Sequence, residues 1–196
     1  LQTCMNSERS EFVVVYGRRR IGKTFLVRRF FEDRYAFSFV GKHEMAKDLQ
    51  LQEFAKALQR YSGSAFVPVL KNWTEAFDGL QKLLASVETP GKKVAFIDEM
   101  PWMDTPKSDF VMALENFWNG WANMRDDILF VACGSATSWM VDKLLHNQGG
   151  LFNRITQTLF LNLFVGLGLM KQIAMIPTLC ICIPINFLLV RFFLKR

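Results

Sequence analysis

A chain of 196 residues is long enough for one domain with a substantial core and too short for two comfortable ones. Hydrophobic residues make up 51% and charged ones 21%, which excludes a disordered chain. The formal charge is +6, yet four basic and no acidic residues lie from Ile155 onward, leaving 20 basic against 18 acidic ahead of it. So balanced a front part carries no nucleic-acid footprint.

Residues 1–11 are polar and predict a helix end or loop. Phe12 to Tyr16 reads as a buried apolar strand, followed by a glycine-bounded loop. A helix is predicted from Thr24 to Phe31, with Phe25, Leu26, Phe30 and Phe31 on its buried side. Inside this stretch Gly17-x-x-x-x-Gly22-Lys23-Thr24 is the P-loop pattern. Glycines let the backbone curl until successive N–H groups point inward and nest a phosphate. The helix that follows aims its positive end at the same anion. Gly17, Arg18, Arg19, Arg20, Ile21, Gly22, Lys23, Thr24 and Phe25 are therefore the candidate nucleotide-binding run. Lys23 would meet the β- and γ-phosphates, and the Thr24 hydroxyl would ligate Mg²⁺. The bland alternative is a chance match on a glycine turn.

Tyr35 to Val40 has the aromatic, β-branched character of a second strand, ended by Gly41. Leu51, Phe54, Ala55, Leu58 and Tyr61 recur at helical spacing, predicting a helix over 45–61 that Ser62-Gly-Ser closes. Trp73, Ala76, Phe77, Leu80, Leu83 and Leu84 mark another over 73–85. A core face explains these aromatic stripes better than a base-stacking platform does.

Lys93-Val-Ala-Phe-Ile-Asp-Glu99 is an apolar run ending in two carboxylates. Paired acids at a buried strand tip are costly unless a cation meets them. A nucleotide-bound Mg²⁺ is such a cation, with Asp98 holding the metal through its hydration shell. Glu99 would then be the general base or water-orienting group. The alternative is an acidic helix N-terminus, but a P-loop upstream favours the functional reading.

Phe110, Ala113, Leu114, Phe117, Trp118 and Trp121 predict a helix over 108–124, and Asp127 to Cys133 another buried strand ending at Gly134-Ser135. Ser135 is either a turn residue or the polar group beside an attacking water. A helix from Thr137 to Asn147 and a loop from Gly149 to Arg154 follow. Arg154 is either a solvated arginine or a finger that neutralises the transferring phosphoryl group.

Cys4, Cys133, Cys180 and Cys182 form no C-x-x-C pair, and with only His43 and His146 there is no zinc set. Free thiols without a signal peptide predict a reducing, cytoplasmic setting. Leu1 in place of an initiator Met leaves an upstream start open.

With the P-loop, Phe96-Ile-Asp-Glu-Met-Pro-Trp102, Cys133-Gly-Ser-Ala-Thr-Ser-Trp-Met140 and Leu151-Phe-Asn-Arg-Ile-Thr156 in order, residues 7–164 resemble a known family. It is that of the AAA-type ATP-binding proteins of archaea and anaerobic bacteria, distant relatives of the signal-transducing STAND ATPases. The resemblance implies a three-layer α/β P-loop NTPase fold, of the ASCE/AAA kind, with a mostly parallel central sheet. It makes Gly17, Gly22, Lys23 and Thr24 Walker A, Asp98 and Glu99 Walker B, Ser135 the first sensor and Arg154 the family's arginine near the end of the core. It implies ATP and Mg²⁺ as cofactors, and a homo-oligomer if the finger acts in trans. Family members continue after Leu-x-Pro-Phe into a helical lid, a winged-helix region and often a nuclease-like domain. Here Leu161-Asn-Leu-Phe164 puts Leu163 at the proline, and the lid, its second sensor arginine and the part that would contact DNA or a protein partner are expected to be missing.

The expected division is an ATPase core over 1–164 and a hydrophobic tail over 165–196. Residues 172–190 are 19 uncharged residues, about a membrane-spanning length. Pro177, Pro184, Thr178 and Asn186 interrupt them, and proline is costly inside a spanning helix. The loss of acidic residues where the family pattern stops favours a shifted reading frame over an anchor. The leading expectation is ATP binding with Mg²⁺-dependent hydrolysis. The alternatives are a degraded or regulatory module that holds nucleotide without turnover, and a protein associated with a membrane through its tail.

Overall fold

Two strands, β3 (Lys93–Asp98) and β4 (Ile128–Gly134), are buried at every position, and β1 (Glu11–Gly17) is buried at all but Tyr16. A sheet built from them must be covered on both faces. The computed structural model describes residues 1–135, 137–146 and 149–161. With β2 (Phe37–Val40) and β5 (Gln157–Leu161), the strands form one five-stranded sheet in the order β2-β3-β4-β1-β5.

The pairings of β1 with β4, β4 with β3 and β3 with β2 are all parallel. On the far side of β1, the Thr156 N–H donates to the Phe12 carbonyl at 3.0 Å, and the Tyr16 and Phe160 rings lie 5.1 Å apart. Equal steps along both strands make β5 parallel as well. Parallel strands need crossovers long enough for helices, and the chain supplies them: α1 (Gln2–Met5) precedes β1, then come α2 (Lys23–Phe31), α3 (Lys47–Ser62), α4 (Trp73–Ser86), α5 (Phe110–Gly120) and α6 (Thr137–Trp139). Short 3₁₀ turns at Met100–Met103 and Ala122–Met124 and a π-type turn at Met140–Leu145 complete the order.

One face of the sheet, carrying Phe12, Val14, Phe37, Ala95, Ile97 and Phe130, packs on Phe54, Trp73, Phe77, Leu80, Phe117 and Trp118 of α3, α4 and α5. Phe12 lies 5.0 Å from both Trp118 and Phe130, edge-on to the latter, the geometry that aromatic quadrupoles favour. The aromatic stripes are thus core. On the other face Val13, Val15, Phe96 and Val131 are buried, and α2 lies against β1. This is the three-layer α/β arrangement that the sequence led one to expect. Residues Leu1–Phe160 form one compact unit.

Three local expectations are corrected, and one strand is added. The buried side of α2 is Lys23, Val27 and Phe31, at i, i+4 and i+8. Phe25 is 73% exposed and Leu26 37%, because the helix phase is set by Lys23 folding under the loop. The helix over 108–124 ends at Gly120 and restarts as a 3₁₀ turn after Trp121. The long helix expected from Thr137 becomes three α-helical residues running into a π-type turn. Finally, β5 had no sequence expectation; Gln157-Thr-Leu-Phe-Leu161 has only one buried residue, Leu161, too weak a pattern to announce a strand. The 172–190 segment, the break at Leu163, Cys180 and Cys182 lie outside the described residues. Among the described residues no helix is long and apolar enough to cross a membrane.

Candidate functional site

In an open parallel sheet, ligand sites form at the carboxyl ends of the strands. Here β1 ends in Gly17, β3 in Asp98 and β4 in Gly134. Because β4 lies between β1 and β3, the loop after β1 and the acids after β3 are two strand spacings apart, about 10 Å, with Ser135 at the tip between them. Topology alone therefore assembles the three sequence motifs around one opening.

The loop from Gly17 to Gly22 has the backbone its glycines were expected to permit. Gly17 takes φ 143° and Gly22 φ 87°, where Gly22 caps α2 in a left-handed conformation. A Cβ at Gly22 would meet nothing within 4 Å, so the requirement is conformational rather than steric. Lys23, 6% exposed, folds back beneath the loop; its Nζ donates to the carbonyls of Gly17 at 2.9 Å and Arg18 at 2.7 Å. The ammonium thus satisfies loop carbonyls while staying in reach of an anion in the nest.

Thr24, in the first turn of α2, donates through Oγ1 to Asp98 Oδ2 at 2.7 Å. The other carboxylate oxygen of Asp98 accepts from the Glu99 N–H at 2.9 Å. Asp98 is only 4% exposed, so these contacts orient it. Burial, and after it the adjacent Asp98 carboxylate, pushes the Cys133 thiol well above its usual range, so this cysteine stays protonated. A hydroxyl and a carboxylate oxygen converging at the mouth of an anion nest suit a hard cation bound together with a phosphate. Among the described residues no three His, Cys, Asp or Glu side chains could hold a metal on their own, so such a cation would take further ligands from phosphate and water.

Glu99 sits in the left-handed region (φ 47°, ψ 40°) at the start of the Met100–Met103 turn, a conformation that costs a non-glycine residue free energy. Its Oε2 accepts from Ser135 Oγ at 2.9 Å, and the Ser135 oxygen accepts in turn from Arg19 Nε at 3.4 Å. Lys23, Thr24, Asp98, Glu99, Ser135 and Arg19 are thereby brought to one place. Arg18 and Arg20 are exposed on the same loop, Ile21 is half-buried beside them, and Phe25 points to solvent.

Arg154 is elsewhere. It is exposed in the turn before β5, two residues from Thr156, which bonds the start of β1 at Phe12. The P-loop leaves the other end of β1, about 16 Å along the strand.

Four contributors escaped the sequence reading. Gln50 of α3 is fully buried; its amide nitrogen donates to the carbonyls of Lys42 at 2.6 Å and Trp102 at 3.0 Å, and its oxygen accepts from the Lys42 N–H at 3.1 Å. It ties the loop after β2 to the turn after Glu99. Gly41 donates from its N–H to the Asp98 carbonyl at 2.9 Å, and a Cβ there would lie 2.4 Å from the Glu99 carbonyl oxygen. His43 and Trp102 pack at 4.1 Å, and the Trp102 N–H donates to the Glu99 carbonyl at 3.1 Å. A lone Gln on an amphipathic helix and a Gly after a strand carry no sequence signal of such roles.

A family model described as "ATPase domain predominantly from Archaea" matches residues 1–173. No curated protein matches the chain. Among solved structures, a Walker-type ATPase of Pyrococcus abyssi is similar at 16% identity and TM-score 0.57, over 81% of this chain and 50% of that one. The ORC2 protein of Aeropyrum pernix, in ADPNP-ADP complexes, is similar at 19% identity and TM-score 0.51, over 78% of this chain and 41% of that one. Drosophila ORC bound to DNA follows at 13% identity and TM-score 0.50, over 86% and 91% of the respective chains. The chain spans half or less of the first two, and at these identities the likeness is one of fold.

Proposed function

The chain belongs to the family of ATPase domains found predominantly in Archaea, and from that premise we propose that it binds ATP with Mg²⁺ and hydrolyses it at the mouth between β1, β4 and β3. The observation that carries this is the convergence of Lys23, Thr24, Asp98, Glu99 and Ser135, each held by the hydrogen bonds given above. Loop N–H groups and the N-terminus of α2 hold phosphate. Lys23 exchanges its loop carbonyls for phosphate oxygens. Thr24 and Asp98 hold Mg²⁺, which neutralises charge on the phosphates when bound. Glu99 takes a proton from, or orients, the water that attacks the terminal phosphorus. Ser135, already hydrogen-bonded to Glu99, steadies that carboxylate.

Arg154 is too far along β1 to serve its own chain's nucleotide. In a homo-oligomer it would serve a neighbour's, as a finger in trans. The relation to STAND ATPases, and work on DNA or a protein partner through a further domain, are consistent with this reading. They rest on the motif resemblance alone.

Lys23→Ala should abolish nucleotide binding or turnover. Glu99→Gln should bind ATP but slow phosphate release by at least about a hundredfold, the scale of a general base. Unchanged turnover in both variants would sink the proposal. Binding without turnover in the parent chain would favour the nucleotide-holding module instead.

A further inference from the structure

The P-loop carries three consecutive arginines, and the phosphate nest needs none of their side chains. Arg19 is the one that leans inward. Its guanidinium carbon lies 5.6 Å from the Trp102 ring centroid, within cation–π range, and its Nε reaches Ser135 Oγ at 3.4 Å. Trp102 is itself held: His43 packs on its ring at 4.1 Å, its backbone N–H donates to the Glu99 carbonyl at 3.1 Å, and its carbonyl accepts from Gln50. Arg19 therefore touches both groups that flank Glu99, the residue assigned to the attacking water.

Hydroxyl chemistry gives this contact a consequence. Ser135 has one proton to donate. While its oxygen accepts from Arg19, that proton goes to Glu99 Oε2. A chain of donors thus runs from the P-loop through Ser135 to one oxygen of the Glu99 carboxylate. An incoming terminal phosphate competes for the guanidinium, and a phosphate oxygen is a much stronger acceptor for arginine than a neutral hydroxyl or an indole face. Lys23, bonded to the Gly17 and Arg18 carbonyls of this loop, is the other cation within reach of the same phosphate.

Resting on the ATPase reading, we propose that Arg19 is the residue that tells a nucleoside triphosphate from a diphosphate in this chain. It leaves Trp102 and Ser135 for the third phosphate, and does so only when there is a third phosphate to bind. A diphosphate fills the nest but leaves Arg19 on its shelf.

The test is equilibrium binding of ADP and of a non-hydrolysable ATP analogue, each with Mg²⁺, to the full chain and to its Arg19→Ala, Arg19→Lys and Trp102→Phe variants. Arg19→Ala should weaken the triphosphate about tenfold, or about 1.4 kcal/mol, and leave ADP within about twofold. Arg19→Lys, keeping charge but not the fork, should restore part of the loss. Indole emission should change with the triphosphate and not with ADP, and that change should vanish in Trp102→Phe and Arg19→Ala. Equal weakening of both nucleotides in Arg19→Ala, or an unchanged ratio, would overturn the assignment while leaving the ATPase reading standing. A parent chain that binds neither nucleotide would overturn both.

Discussion

The Thr24 hydroxyl donates to Asp98 Oδ2 at 2.7 Å, tying the first turn of α2 to the tip of β3 across the intervening end of β4. These are the two oxygens assigned to Mg²⁺. Under that assignment, removing the carboxylate removes a group that would hold the metal, directly or through its water, and also a negative charge beside the phosphates. Asp98→Ala should therefore lower nucleotide affinity at least about tenfold in Mg²⁺. In EDTA its affinity should match or exceed that of the parent, because a like charge has gone. Calorimetric titration with and without the metal separates the two; equal loss in both conditions would remove Asp98 from the metal site.

Gly41, bonded through its N–H to the Asp98 carbonyl, lies hard against the Glu99 backbone. A Cβ at Gly41 would stand 2.4 Å from the Glu99 carbonyl oxygen and 3.1 Å from Met103 Cγ, and the backbone cannot yield as a flexible side chain would. Gly41→Ala should cost about 1–3 kcal/mol of stability, the range for overpacking, and displace Glu99. Urea denaturation and phosphate release should fall together, with nucleotide binding retained, since the P-loop lies on another strand.

The corrected face of α2 can be checked by paired substitutions. Phe31 is 5% exposed and Phe25 is 73% exposed. Phe31→Ala should cost about 3–5 kcal/mol, whereas Phe25→Ser should stay within about 0.5 kcal/mol. Thermal unfolding of the two variants distinguishes this helix phase from the one its sequence suggests.

Asp127 clips the start of β4 to that of β3. It accepts two hydrogen bonds from Arg125, both at 2.6 Å, and pairs with Lys93 at 3.1 Å. The Arg125 hydrogen bond, reinforced by Lys93, lowers its pKa from 3.8 to about 2. A carboxylate depressed in the folded state contributes stability that is fully present above its unfolded pKa and is lost as pH falls through the folded one. The contribution is about 1–2 kcal/mol after allowance for solvent screening. Asp127→Asn should lower stability at pH 7 by that amount and flatten the acid dependence between about pH 4 and pH 2. An unaltered acid slope would mean that the clip contributes nothing.

Much of this protein is legible in its sequence, for reasons that are local. Buried runs such as Phe12–Tyr16 and Lys93–Asp98 announce strands of a doubly covered parallel sheet, because only such strands lose their polar alternation. The P-loop is legible because its chemistry needs glycines at set intervals before a Lys-Thr helix start, and Asp98-Glu99 because acids at an apolar strand tip call for a cation. What the sequence could not determine is what depends on neighbours distant in the chain. The phase of α2 turns on Lys23 folding beneath its own loop, and exposes Phe25 against its hydrophobicity. β5 exists because β1 offers it an edge, not because of its own pattern. Ser135, ambiguous as a turn residue, acquires a partner only because strand order places β4 between β1 and β3. The same topology carries Arg154 to the far end of β1 and brings Arg19, one of three equal arginines in the sequence, against Trp102 and Ser135. Local propensity and motif chemistry are written residue by residue. Proximity between residues 19, 102 and 135 is written only in the order of the strands.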